Sequence, residues 1–184
     1  RPTRNRKLTT IGVRLHRKPQ LSRFDYQLES ALQFGESRTS TAATNTTDLD
    51  HFAHFQHAEL GYSFDHPWRP RLILQYDYAT GDDNPTDADN ERFDTLFGAR
   101  RFDFGPTGIY GPFARANLNT PGLRLHLKPS AAITTFITYR AYWLASDRDA
   151  WTTSHVQDPT GATDRFIAQQ IEARLRWNVH PNNI

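Results

Sequence analysis

Apolar and polar side chains alternate along most of this chain. From Phe24 to Phe34 the even positions are apolar apart from Ser30, and the odd positions are polar apart from Ala31. That period of two puts one set on each face of a strand, whereas a helix would scatter both sets around its circumference. The same alternation runs through Ile11, Val13 and Leu15, through Leu72, Leu74, Tyr76 and Tyr78, and through Leu123, Leu125 and Leu127. It closes with Ile167, Ile171, Leu175, Trp177 and Val179. Less regular stretches at 50–64 and 132–145 carry Leu60, Tyr62 and Phe64, and Ile137, Tyr139 and Trp143, on one face. The spacing predicts about seven strands, near 8–17, 23–35, 50–64, 71–80, 122–129, 132–145 and 166–179.

The connections sort by length. Short Pro-marked turns at 17–22, 65–70 and 129–131 alternate with long polar loops at 36–49, 80–121 and 146–165. Outer-membrane β-barrels show this asymmetry, with short turns in the periplasm and long loops outside. Tyr62, Phe64, Trp68 and Trp177 fall near the short-turn ends of the strands, and Tyr76, Tyr78, Tyr139, Tyr142 and Trp143 near the long-loop ends. They read as two aromatic girdles at the membrane interfaces. The expected fold is all-β, an antiparallel transmembrane barrel with Leu28, Leu74, Leu125, Ile137 and Leu175 on its lipid-facing side. An odd number of strands does not close such a barrel, and His180-Pro181-Asn182-Asn183-Ile184 looks like one more turn. Residues 1–184 are therefore expected to be part of a single barrel domain, truncated at both ends.

Composition narrows the picture. No apolar run reaches the ~18 residues that a membrane helix needs, but barrel strands need only ~9–11 residues with every second one apolar. The chain has no cysteine, which removes disulfides, thiolate metal sites and a cysteine nucleophile. A formal charge of +2, with the basic residues scattered, argues against a nucleic-acid partner.

The pleat assigns Arg14, Asp77, Arg124, Lys128, Arg140, Glu172, Arg174 and Arg176 to the lumen-facing register. On the lipid face an Arg or Lys at midplane would cost roughly 2–4 kcal/mol. Two readings of these charges stand. Inward guanidinium groups favour anions and match carboxylates in a bidentate fork, which makes these residues a candidate binding and selectivity set. Alternatively they pair with Asp77, Glu172, Asp25 and Glu29 on neighbouring strands and fill a polar interior. Arg174 and Arg176, two apart on one face with only Glu172 near them in the strand, favour the first reading.

Other chemistry is weaker. Asp82, Asp83, Asp87, Asp89, Glu91 and Asp94 lie in one loop but lack the glycine and ligand spacing of a calcium loop, so a solvated acidic loop is expected. His51, His54 and His57 would share a helix face, but on a strand His54 points away from the other two, against a metal site. Ser146, Ser154 and His155 offer no nucleophile elbow, so neither an enzyme nor a cofactor is expected. Gly105, Gly108 and Gly111, with Pro106 and Pro112, suit a loop folded back as a constriction or an ordinary surface loop.

The run Tyr76-Asp77-Tyr78-Ala79-Thr80-Gly81-Asp82-Asp83-Asn84-Pro85 is followed by Phe93-Asp94-Thr95-Leu96-Phe97 and Arg100-Arg101-Phe102-Asp103-Phe104-Gly105. Together with Tyr139-Arg140-Ala141-Tyr142-Trp143-Leu144-Ala145-Ser146-Asp147-Arg148-Asp149-Ala150-Trp151, it resembles the alginate-export family of bacterial outer-membrane barrels. The resemblance spans roughly residues 70–180. It implies a large monomeric barrel of about eighteen strands whose narrow, arginine-rich lumen passes an anionic polysaccharide. The implied partners are a uronate polymer such as alginate, or small anions, together with outer-membrane lipid and periplasmic secretion proteins. Two other functions remain open at this stage, a generic porin for small, preferentially anionic solutes and a barrel enzyme.

Overall fold

The computed structural model of the chain describes residues 5–38, 40–95, 104, 113–151 and 154–179. Seven long strands run through them: β1 (Arg6–Arg17), β2 (Arg23–Ser37), β3 (Leu49–Ser63), β4 (Arg71–Ala79), β6 (Leu118–Leu127), β7 (Ile133–Trp143) and β8 (Phe166–Trp177). A two-residue strand, β5 (Asp89–Asn90), was not expected and pairs parallel to β3 at Asp50 and His51. The long strands form one sheet in the order β1-β2-β3-β4-β6-β7-β8, each antiparallel to its neighbours. The sheet is open, with β1 and β8 as its edges.

The alternation places most strand boundaries within two residues; β6 is the exception. It starts at Leu118, inside the stretch expected to be loop. Pro121 argues against a strand there because it cannot donate to a ladder. In the structure Pro121 faces Tyr76 on β4, while the β6–β7 register skips from Asn119↔Trp143 to Gly122↔Arg140. The missing N–H thus falls in a gap of the ladder.

Paired residues point the same way, so the register defines two faces across all seven long strands. One carries Leu28, Leu74, Leu125, Ile137 and Leu175, exposed by 45%, 57%, 37%, 54% and 70%. As expected, these leucines and isoleucine are not sealed in a core. So continuous an apolar face has a natural partner in lipid.

The opposite face is polar at the strands and partly covered by the long loops. Phe93, Phe104 and Phe113, from the segment between β4 and β6, are buried with Phe55, Ala79, Leu118 and Tyr142. Phe113 stacks on Tyr142 with centroids 3.6 Å apart, and Phe93 packs against Phe55 at 5.6 Å. Tyr142 therefore does not belong to an interfacial girdle. Its register with Ala168 turns it to the polar face, where it is fully buried. Gly105, Gly108 and Gly111, with Pro106 and Pro112, lie outside the described residues, but Phe104 and Phe113 on either side of them rest on this face.

Two ion pairs cross the polar face by skipping a strand. Arg71 on β4 reaches over β3 to Asp25 on β2, donating from Nε at 3.0 Å to Oδ2 and from Nη2 to Oδ1. Arg140 on β7 reaches over β6 to Asp77 on β4, with Nη1 2.8 Å from Oδ2. A glycine lies beneath each crossing. A Cβ on Gly61 would sit 2.6 Å from Asp25 Oδ1, and one on Gly122 would sit 2.7 Å from Arg140 Cγ. Asp77 also hydrogen-bonds His57 Nδ1 at 2.6 Å.

Arg140 and Asp77 are both buried, so Asp77→Asn should leave a guanidinium without its counter-charge and lower folding stability by about 3–5 kcal/mol. Gly122→Val should break the same pair by obstruction. Urea titration of the protein folded into lipid vesicles checks both, and an unchanged midpoint for Asp77→Asn would show the pair to be dispensable. On the other face, Leu74→Arg should cost roughly 2–4 kcal/mol in the same titration if that face meets lipid. A soluble environment there would make the change nearly neutral.

Candidate functional site

Of the residues that the pleat assigns to one face, Arg14, Asp77, Arg124, Arg140, Glu172, Arg174 and Arg176 all take the polar-face register. Lys128 falls one residue past the end of β6, in the turn, where it is exposed and its backbone N–H donates to the Trp68 carbonyl at 2.8 Å.

These side chains meet different fates. Arg140 is held inside the wall by Asp77, which is the pairing alternative realised. Arg14, half exposed, donates from Nη2 to Gln27 Oε1 at 2.9 Å and has Nε 4.0 Å from Glu29 Oε2. Arg124 donates from Nε to Thr138 Oγ1 at 2.7 Å, and its Cζ stands 4.8 Å from the centroid of the Phe136 ring. Arg174, directly opposite Phe136 in register, has its Cζ 4.7 Å from the same ring. Arg176 is exposed opposite Thr134, with no carboxylate in ion-pair range among the described residues.

Phe136 thus stands between two guanidinium groups, one from each neighbouring strand. A ring face attracts a guanidinium through its quadrupole, worth ~0.5–1 kcal/mol at partly exposed sites, and uses none of its N–H donors. Among the described residues, Arg174 keeps its whole donor fork free, and Arg124 keeps both terminal nitrogens. Glu172, opposite Thr138, and Glu59 on β3 are the carboxylates whose charges act on Arg124, two against three guanidiniums, which leaves the group positively charged on balance. Such an arrangement can take a carboxylate in a bidentate grip without a permanent counter-ion.

The cations around the long loops are arranged differently. Arg6 pairs with Asp94, Lys7 with Glu36, Arg38 with Asp48, Arg92 with Asp149 and Arg165 with Asp147. Hydrogen bonds from Arg38 and then Asn5 hold the Asp48 carboxyl below the ordinary carboxylate range. Towards the short turns, Arg23, Arg124, Lys128, Arg174 and Arg176 have no such carboxylate partner among the described residues. Unpaired positive charge therefore gathers on one half of the polar face.

Phe136 and Thr138 do not stand out in the sequence. Their only signal is parity, since they share the register of Arg140 and Tyr142 and not that of Ile137 and Tyr139. The Arg71–Asp25 pair was likewise missed, because no sequence spacing of 46 residues announces a contact two strands away.

The remaining candidates are absorbed by local structure. In the acidic loop, Asp82, Asn84, Asp87 and Asn90 each accept a backbone N–H from two residues on. Burial raises the Asp82 carboxyl above its usual range. His51 and His57 share the polar face, while His54 lies on the other and stacks on Tyr78 at 5.5 Å. Ser146 donates to the Asp82 carbonyl at 2.9 Å, and Ser154 to the Trp151 carbonyl at 3.1 Å. Asp158 closes its own turn by accepting from the hydroxyl and N–H of Thr160, bonds that lower its pKa.

A search of curated proteins finds no match to the chain. A family model described as alginate export matches residues 1–183. That span is nearly the whole sequence, and the open antiparallel sheet with one apolar face fits an outer-membrane β-barrel. The chain belongs to the alginate-export family.

Proposed function

We propose that this chain forms part of the wall of a bacterial outer-membrane channel that exports an anionic polysaccharide, a uronate polymer of the alginate class. The observation that carries the reading is the group of guanidiniums at Arg124, Arg174 and Arg176, with the Phe136 ring between the first two and no carboxylate in ion-pair range among the described residues. Fixed positive charge on a partly desolvated wall favours anions, and forked donors suit the carboxylates that recur along such a polymer. Arg14 and Lys128 extend the positive face, while Arg140, Asp77 and Glu172 tune and brace it.

Open edges at β1 and β8 support a larger single barrel of which this sheet is one sector, and the family resemblance implies about eighteen strands for the whole. Phe93, Phe104 and Phe113, which rest on the polar face, narrow the long-loop end. With short turns on the periplasmic side, polymer would meet the unpaired cations first and the charge-paired region second. Periplasmic secretion proteins would dock at the same mouth. No step of this passage makes or breaks a bond.

Single-channel recording of the full-length protein in planar bilayers tests the proposal. Wild type should prefer anions in a salt gradient, and Arg174→Glu with Arg176→Glu should shift the reversal potential towards cations while the folded band on unheated gels is unchanged. Oligouronates added on the short-turn side should block the wild-type current and fail to block the double variant. An unshifted reversal potential would remove these arginines from the selectivity set. Anion preference without oligouronate block would make a porin for small anions the better account.

A further inference from the structure

On its short-turn side the apolar face ends in a feature that passage through a lumen does not use. Phe24, Tyr62 and Phe64 form a ladder of rings with centroids 4.8 Å and 4.9 Å apart. With Leu60, Leu72 and Leu74 they line an open groove of about 480 Å³. An apolar groove alone would accept any acyl chain, so the charges at its end decide what it fits.

Those charges are mainly positive, with Asp65 of the second turn the one carboxylate among them. On β1 the outward register runs Ile11, Val13, Leu15 and then Arg17, which stands opposite Tyr26 where the alternation would place another apolar residue. Deep in lipid that cation would be costly, but at the membrane rim its stem can lie along the apolar face while the guanidinium reaches a headgroup. Lys18 follows in the first turn, and Arg69 follows Trp68 in the second. All three are exposed, and none has a carboxylate in ion-pair range among the described residues. The two turns meet at this rim. Ser22 N–H donates to the Ser63 carbonyl at 2.7 Å, which leans the first turn on the end of β3, and Phe64 N–H donates to the Pro70 carbonyl at 2.8 Å, which closes the second.

We propose that this rim binds an anionic glycerophospholipid of the periplasmic leaflet, with the phosphate held by Arg17, Lys18 and Arg69 and an acyl chain in the aromatic groove. A zwitterionic lipid fits less well, because its own ammonium returns the positive charge that these three cations already supply. The inference needs the barrel to sit in a membrane with its short turns inward, and it is independent of what the channel carries.

Native mass spectrometry of the full-length protein in detergent provides the test, with phosphatidylglycerol and phosphatidylcholine of matched chains as probes. Wild type should retain phosphatidylglycerol at least about tenfold more tightly, as expected for two or three cations near a headgroup. Arg17→Gln with Lys18→Gln and Arg69→Gln should abolish that preference, and Phe64→Ala should weaken both lipids. The lumen variant with Arg174→Glu and Arg176→Glu should bind lipid as wild type does, so its failure to alter conductance leaves this site untouched. Equal binding of the two lipids by wild type would overturn the proposal even if the triple variant failed to fold. So would undiminished phosphatidylglycerol binding in a folded triple variant, or a preference for lipopolysaccharide, which belongs to the other leaflet.

Discussion

A paired strand has no freedom over where its side chains point: neighbours in sequence go to opposite faces, and partners across the ladder go to the same one. Seven antiparallel strands in unbroken order extend that rule sideways, so the choice of residue at each position becomes a choice of solvent. The leucines and aromatics of the even positions in β2 are thereby committed to one environment, and Asp25, Gln33 and Ser37 to the other. The polar wall, the apolar belt and the rim all inherit their placement from this constraint.

On the polar side the constraint creates a difficulty, because charges are brought together where water is limited. Two solutions coexist. Towards the long loops and within the wall, guanidiniums are matched with carboxylates, as in Arg140–Asp77 and Arg92–Asp149, and packed rings cover them. Towards the short turns, Arg124 and Arg174 are steadied by a phenyl ring instead, which holds their geometry and leaves their charge uncancelled. The first solution favours stability and the second favours recognition, and the short-turn half of the sheet carries both, since Arg71 is paired with Asp25 there while Arg124 and Arg174 have no carboxylate in ion-pair range among the described residues.

Much of this was legible in the sequence, and the reason is the period. Alternation is local, so β1, β2, β4 and β8 could be placed from their own residues, and parity alone put Arg124, Arg174 and Arg176 on one face. What remained hidden depends on partners distant in the chain. Tyr142 reads as a girdle aromatic until the register with Ala168 turns it inward under Phe113. Pro121 reads as a strand breaker until the gap in the β6–β7 ladder accommodates it. The separation of Arg140, which is paired, from Arg174, which is not, depends on Asp77 lying two strands away in space and 63 residues away in sequence.

The glycines beneath the crossing arginines also bear on how the sheet assembles. An arginine that bridges β7 to β4 over Gly122 makes its contact only when β6 lies between them in one particular register. A slip of β6 by one residue would bring Pro121 or Leu123 under the guanidinium and turn the face of every β6 side chain. The Arg71–Asp25 crossing over Gly61 applies the same check to β2, β3 and β4. Each pair thus acts as a check on three strands at once, because it closes only when the middle strand lies in that register.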